Sequence, residues 1–84
     1  MQNHPPRNAE KRIQIMQYMI KFSSECGRQP SVREIGMAAG LLSTSTTAGY
    51  LRRMVNEGLL SQSGQARRNY YVTRSAADLL RSAG

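Results

Sequence analysis

Four residues near the middle of the chain, Gly-Leu-Leu-Ser at 40–43, constrain its fold more than any other stretch. Glycine readily adopts the left-handed conformation that ends a helix, and serine is a favoured residue for beginning one. Before this turn, Ser31 and Glu34 have the spacing of a capping box, which predicts a helix over 32–39. After it, a second helix is predicted to run to about Glu57. Two short helices joined by such a turn form a helix-turn-helix motif.

The 3.6-residue period of a helix predicts which side of the second helix of the motif faces the core. Ser43 or Thr44 is its expected N-cap, and Gly58 ends it. The inward positions are apolar and recur at helical spacing: Ala48, Leu51, Met54 and Val55. The opposite side is therefore expected to face solvent or a partner.

An apolar stripe predicts another helix before the motif, over residues 9–26. Asn8 is its expected N-cap, and Gly27 follows its end. The stripe consists of Ile13, Met16 and Ile20, widened by Ile15, Met19 and Phe22. Residues 1–8 are polar and contain two adjacent prolines, so a flexible tail is expected there.

A basic hairpin is predicted after the motif. Residues 59–63 and 69–73 have the composition of strands, and residues 64–68 between them form the turn. Successive side chains of a strand point to opposite faces, so one of Tyr70 and Tyr71 is expected in the core and the other outside. A hairpin in this position is the wing of a winged helix-turn-helix.

The last segment, residues 74–84, contains a predicted helix over 74–82 that is capped by Thr73. Its apolar residues either cover the first helix or form a dimer contact. The predicted fold is therefore mainly α with a small β-hairpin. Residues 9–73 form a winged helix-turn-helix with three helices and a two-stranded wing, and a C-terminal helix follows.

The charge balance indicates a polyanionic partner. Lys and Arg number 12 against 5 Asp and Glu, a net charge of +7 on 84 residues. Nucleic acid is the first candidate, an acidic membrane surface the second, and a merely solubilising charge the alternative. No stretch approaches the ~20 apolar residues that span a bilayer, and the N-terminus lacks the apolar region of a signal peptide. The sequence therefore predicts a cytoplasmic protein with no membrane partner.

Residues 13–73 resemble the DNA-binding domain of the LexA repressor family, which is a winged helix-turn-helix. The resemblance rests on Pro-Ser-Val-Arg-Glu-Ile at 30–35, on Ser43, and on Leu-Arg-Arg-Met-Val-Asn-Glu-Gly-Leu-Leu at 51–60. It implies a sequence-specific regulator, most simply a repressor, that binds double-stranded DNA. Residues 70–80 are also similar to the second wing strand and following helix of MarR-like and PadR-like regulators.

LexA repressors carry a second domain that cleaves its own linker. The 84 residues leave no room for such a domain, so no self-cleavage is expected of this chain. The matching recognition stretch has its own polar set, and the family's operator is therefore not expected to carry over.

In a helix-turn-helix, the N-terminal half of the second helix enters the major groove. The candidate DNA contacts there are Ser43, Thr44, Ser45, Thr46, Thr47, Gly49, Tyr50 and Arg53. Hydroxyl groups donate or accept hydrogen bonds, so they suit several base edges and phosphates. Gly49 lets the helix approach DNA closely. The alternative is that the hydroxyl run serves only as an N-cap, and the two roles are compatible.

Two further groups of residues are candidates for contact with the DNA backbone. Arg28, Ser31 and Arg33 flank the start of the first helix of the motif, where backbone amides also attract phosphate. The alternative for Arg33 is a solvated side chain. The wing tip is expected to lie along the minor groove or the backbone through Gln65, Arg67, Arg68 and Asn69.

No catalytic constellation is expected. The chain has no phosphate-binding Gly-rich loop and no metal-ligand spacing, so we predict a non-enzyme without metal, cofactor or small-molecule ligand. Its one cysteine, Cys26, excludes a disulfide framework and is expected to be a small buried residue, with a redox sensor as the alternative. Besides a regulator, which binds as a monomer or homodimer, two functions stay open: an architectural or accessory factor in replication, partition or recombination, and a winged-helix protein-interaction module.

Overall fold

The computed structural model describes residues 7–62 and 70–83 of the chain. Three helices come first: α1 (Arg7–Cys26), α2 (Val32–Ala39) and α3 (Thr44–Asn56). They are followed by strands β1 (Leu60–Gln62) and β2 (Tyr70–Val72) and by helix α4 (Arg74–Ala83). The two strands pair antiparallel, with Ser61 opposite Tyr71. This order confirms the predicted winged helix-turn-helix.

The caps of the motif are those that the sequence predicts. The Ser31 hydroxyl accepts from the Glu34 amide, and the Glu34 carboxylate accepts from the Ser31 amide at 2.7 Å, which completes the capping box. Gly40 ends α2 with φ of 71°, where a side chain would be strained. Ser43 caps α3 by accepting from the Thr46 amide at 3.1 Å. These contacts fix the turn between the two helices.

Helix α1 differs from its prediction in two respects. It begins at Arg7, so Asn8 lies inside the helix instead of capping it, and the flexible tail expected over 1–8 does not include these two residues. Residues 1–6 lie outside the described part of the chain. Cys26, expected to be buried, is exposed at the end of the helix.

The core lies where α1, α2, α3 and the hairpin meet, and α4 adds one small residue to it. Its buried apolar side chains are Ile15, Met16, Met19, Ile35, Ala39, Leu51, Met54, Leu60, Tyr70 and Ala76. Helix α1 is rotated relative to its predicted stripe, because Ile15 and Met19 are buried while Ile13 and Ile20 remain about 40% exposed. Tyr70 is buried and Tyr71 is 39% exposed, as strand alternation predicts. Within the described residues, no helix is long and apolar enough to cross a bilayer.

Side chains of α1 fix the other two helices of the trio. Lys11 Nζ donates to the Ala39 carbonyl oxygen at 2.6 Å, and Gln14 donates to that of Ala38 at 3.3 Å. Both acceptors belong to the last turn of α2, whose carbonyl groups have no partner within the helix. The Arg12 guanidinium makes two hydrogen bonds to the Glu57 carboxylate, at 2.7 and 2.8 Å, just beyond the end of α3. Helix α1 thereby holds the C-terminal ends of α2 and α3 in place.

Candidate nucleic-acid interface

The first turn of α3 presents a group of exposed hydroxyls. Ser43, Thr44, Ser45 and Thr46 are all exposed. The Ser43 hydroxyl accepts from the Thr46 amide and donates to Thr46 Oγ1 at 3.0 Å. Ser43 is therefore both a cap and a surface residue. Thr44 and Ser45 project from a turn whose geometry this cap fixes.

Thr47 does not belong to this exposed group. Its side chain is completely buried, although it is one of the predicted DNA contacts. Its hydroxyl donates to the Ser43 carbonyl oxygen at 3.0 Å, one turn earlier in the helix. The expected inward residue, Ala48, is only half-buried, so α3 is rotated toward α2 by part of a turn. The Thr47 side chain is thus not available for direct contact with DNA, and that prediction is wrong.

The burial of Thr47 follows from the close approach of α2 and α3. Gly36 of α2 is buried, and a Cβ atom at this position would collide with Thr47 Oγ1. The absence of a side chain at Gly36 is what allows Thr47 to pack between the helices. Thr47 therefore packs beneath the exposed hydroxyls of α3 instead of joining them.

The second turn of α3 contains three of the predicted contacts. Gly49 is surrounded by open space, since an added Cβ would meet no atom within 4 Å. Arg53 is exposed. Tyr50 is half-buried and packs against the core, so less of its side chain is available than the sequence suggests. The accessible surface of α3 therefore includes small polar residues followed by two exposed arginines, Arg52 and Arg53.

The start of α2 is electrostatically compensated within the protein. Arg28 makes two contacts of 3.2 Å with the Glu34 carboxylate, and its guanidinium lies 4.8 Å from the centre of the Phe22 ring. A hydrogen bond from Arg28 and one from the Ser31 amide lower the pKa of Glu34 to about 2. The carboxylate is thus ionised at neutral pH and offsets the positive end of the helix dipole.

The three residues predicted to bind the DNA backbone differ in whether contacts within the protein already engage them. Arg28 and Ser31 are engaged in holding the N-terminus of α2, and Ser31 is half-buried. Arg33 is exposed in the first turn of α2 and forms none of the ion pairs found among the described residues. The cation best placed at this end of α2 is therefore Arg33.

The predicted wing-tip residues fall outside the described part of the chain: Gln65, Arg67, Arg68 and Asn69. They lie between β1 and β2 in the sequence. Their expected contact with DNA stays a prediction.

Leu42 is an exposed residue beside the α3 hydroxyls that is not among the predicted contacts. Leu42 is fully exposed in the turn, directly before Ser43, while its neighbour Leu41 packs against the core. The signal is the pair of consecutive leucines in a tight turn, since only one of the two can point inward. An exposed apolar group at the entrance of a recognition helix suits contact with a thymine methyl group.

Comparison with known proteins identifies a family whose model matches most of this chain. The family model for the LexA DNA binding domain matches residues 3–69. The LexA repressor of Clostridium perfringens (strain SM101) is 45% identical over 53 residues, which are 63% of this chain and 26% of that protein. The LexA repressor of Pediococcus pentosaceus is 37% identical over 70 residues, 83% of this chain and 34% of the relative. The chain therefore spans about a quarter to a third of the length of these relatives.

Proposed function

Because the chain belongs to the LexA DNA-binding domain family, we propose that it is a sequence-specific repressor that acts by occupying an operator in double-stranded DNA. The observation that carries the proposal is the capped first turn of α3, with exposed hydroxyls outside and Thr47 locked inside. A net charge of +7 supplies the long-range attraction to a polyanion.

In the proposed complex, the N-terminal half of α3 enters the major groove. Thr44, Ser45 and Thr46 form hydrogen bonds with base edges, and Leu42 contacts a thymine methyl group. Gly49 leaves room for the helix to approach the DNA. No covalent step is involved, because the bound protein blocks the site simply by its presence.

Contacts with the phosphate backbone position the helix in the groove. Arg33 of α2 and Arg53 of α3 are exposed cations, and we assign them to phosphates. The wing residues Arg67 and Arg68, flanked by Gln65 and Asn69, are proposed to follow the adjacent backbone or minor groove. Arg28 supports Glu34 and the cap of α2 instead of binding DNA directly.

Binding as a homodimer is part of the proposal. One helix-turn-helix reads only a few base pairs, so two copies on half-sites roughly 10 bp apart, or a multiple of that spacing, give the affinity and selectivity of an operator. The proposal places the protein in the cytoplasm, where a bacterial chromosome lies.

Selection of binding sites from random duplex DNA tests this function directly. We expect a palindromic motif to be enriched. Strongly salt-dependent binding without a motif would instead support an architectural or accessory DNA-binding protein. Absence of binding even at low salt would leave the protein-interaction module.

The assignment of α3 is tested with Ser45→Ala. This residue is exposed, and its replacement is expected to relax the preference at one base pair by about 1–3 kcal/mol. Ser24→Ala is the matched control, because Ser24 is an equally exposed serine on α1. If Ser45→Ala and the parent select the same motif with the same stringency, Ser45 does not read a base.

A further inference from the structure

Arg52 lies on an exposed side of α3, in line with two of the predicted DNA contacts. Ser45, Gly49 and Arg52 stand at positions i, i+4 and i+7 of the helix, which places them along one side of it. Each of the three comes two residues before a fully buried residue of α3, and two residues turn a helix by about 200°. Those buried residues are Thr47, Leu51 and Met54. The side that contains Arg52 therefore faces away from the body of the protein.

The Arg52 side chain is not engaged by the fold. It is exposed, and within residues 7–62 and 70–83 it takes part in no ion pair or side-chain hydrogen bond. Arg12 and Arg28, by contrast, are paired with glutamates. All the hydrogen-bond donors of the Arg52 guanidinium are thus available for a ligand.

A gap at Gly49 lies beside the path of this side chain. Side chains of a helix lean toward its N-terminus, over the residues three and four positions earlier. For Arg52 these are Gly49 and Ala48, and a Cβ added at Gly49 would meet no atom within 4 Å. An extended Arg52 thus borders a space that the edge of a base is able to enter.

Arg53 is less well placed for the same contact, although it is exposed too. The residue three positions before it is Tyr50, the one aromatic residue of α3, which is half-buried and packs against the core. The leaning Arg53 side chain therefore passes a bulky ring, whereas Arg52 passes only a methyl group and a glycine. This difference favours a base contact for Arg52 and the phosphate contact assigned above for Arg53.

We propose that Arg52 reads a guanine in the major groove, with the edge of the base seated against the backbone at Gly49. The inference rests on the proposed function, because it names one base that α3 reads. Guanine presents two acceptors in the major groove, O6 and N7, and no other base presents two there. The planar guanidinium group donates two hydrogen bonds in a geometry that matches them. Hydroxyls suit several bases, so Arg52 is the residue expected to impose one particular base in each half-site.

Site selection from random duplex DNA with Arg52→Ala tests the inference. The parent's motif is expected to contain a guanine whose preference falls by about tenfold or more in the variant, while the other positions keep theirs. Arg53→Ala is the matched control, because it removes the same charge from the adjacent residue and should weaken binding without changing the motif. Both residues are exposed, so both variants are expected to fold, and thermal unfolding monitored by circular dichroism verifies this.

A modified base tests the contact itself. Replacing the selected guanine with 7-deazaguanine substitutes carbon for N7 and removes one of the two acceptors. The replacement should weaken binding of the parent by about tenfold and leave binding of Arg52→Ala nearly unchanged, because the variant has no group that uses N7. An equal loss in both proteins would show that a different residue contacts this guanine.

The outcomes separate this inference from the proposed function. If Arg52→Ala selects the parent's motif with the same stringency, or if Arg53→Ala loses the guanine instead, the role of Arg52 is overturned and the sequence-specific repressor still stands. Absence of any motif for the parent would contradict the proposed function and this inference with it. Loss of the guanine in Arg52→Ala alone, together with insensitivity of that variant to 7-deazaguanine, would support both.

Discussion

Thr47 shows that neighbouring hydroxyl residues which look alike in sequence have different positions in the fold, one buried and the others exposed. It stands in a run of hydroxyl residues, yet its side chain is buried against the place where Gly36 has none. The neighbouring Thr46 is exposed and takes part in the cap. The surface that we propose for DNA recognition therefore depends on a residue that does not belong to it.

The contact between Gly36 and Thr47 predicts opposite effects for two identical substitutions. Gly36→Ala should lower the free energy of unfolding by about 1–3 kcal/mol, because its Cβ collides with Thr47 Oγ1. Gly49→Ala, also in a helix, should raise it by about 0.5–1 kcal/mol, because its Cβ enters open space and alanine favours the helix. Urea denaturation of the two variants measures both changes.

A double variant tests the cause of the first effect. Adding Thr47→Ala to Gly36→Ala removes the colliding hydroxyl. The double variant should therefore lose less free energy of unfolding than the sum of the losses in the two single variants. Simple additivity would show that Gly36 is required for some reason other than its contact with Thr47. A separate loss of DNA affinity in the stabilised Gly49→Ala variant would show that the helix approaches DNA closely at this position.

The elements differ in how well their sequences predict them. Helix α2 has one polar side and explicit caps, so its bounds and buried Ile35 follow from the sequence. Helix α1 has apolar residues on most sides, so periodicity alone does not show which of them are buried. Ile13 and Ile20 stay partly exposed because α4 covers only a small part of the helix. Apolarity predicts Ala48 on the inner side of α3, but the close contact with Gly36 favours Thr47 there. That contact between elements is not visible in either helix alone.

Helix α2 is too short to be stable alone and is held at both ends. Arg28, Glu34 and Ser31 order its N-terminus, while Lys11 and Gln14 bind its last carbonyl groups. Its orientation, and with it the position of α3, thus depends on side chains of α1 and the preceding loop.

The N-terminal contacts of α2 predict a pH dependence. The pKa of Glu34 is lowered from 4.5 to about 2 by Arg28 and the Ser31 amide, so the folded state favours the ionised carboxylate. This contribution to stability is complete above pH 4.5 and is lost as the pH falls toward 2. Thermal unfolding of the parent and of Glu34→Gln should therefore differ at pH 7 and converge near pH 2. A difference that stays constant over this range would contradict the assignment.

At the scale of the whole molecule, the described arginines differ in whether they form ion pairs within the fold. Arg12 and Arg28 form ion pairs with Glu57 and Glu34, which hold helices and the preceding loop together. Arg33 and Arg53 are exposed on the motif. The net charge of +7 indicates a polyanionic partner, but it does not indicate which arginines form ion pairs within the protein.

This division predicts distinct effects on the salt dependence of DNA binding. Arg53→Ala should reduce the slope of log affinity against log salt by about 1, since one phosphate contact is lost. Arg74→Ala, an equally exposed arginine on α4, removes the same charge and should leave the slope nearly unchanged. Titrations of a fixed duplex with each variant at several salt concentrations measure this. Equal slopes for both variants would show that Arg53 acts only through net charge.

Ser43 has a consequence for how the binding preference of this protein is able to evolve. Its hydroxyl caps α3 and lies on the surface assigned to DNA, so most substitutions there alter folding and recognition together. Substitutions of Thr44 and Ser45 are expected to alter recognition without altering the cap, because the cap does not use their side chains. Operator drift is accordingly expected to begin at those two positions, where new preferences arise without loss of fold, and to reach Ser43 last.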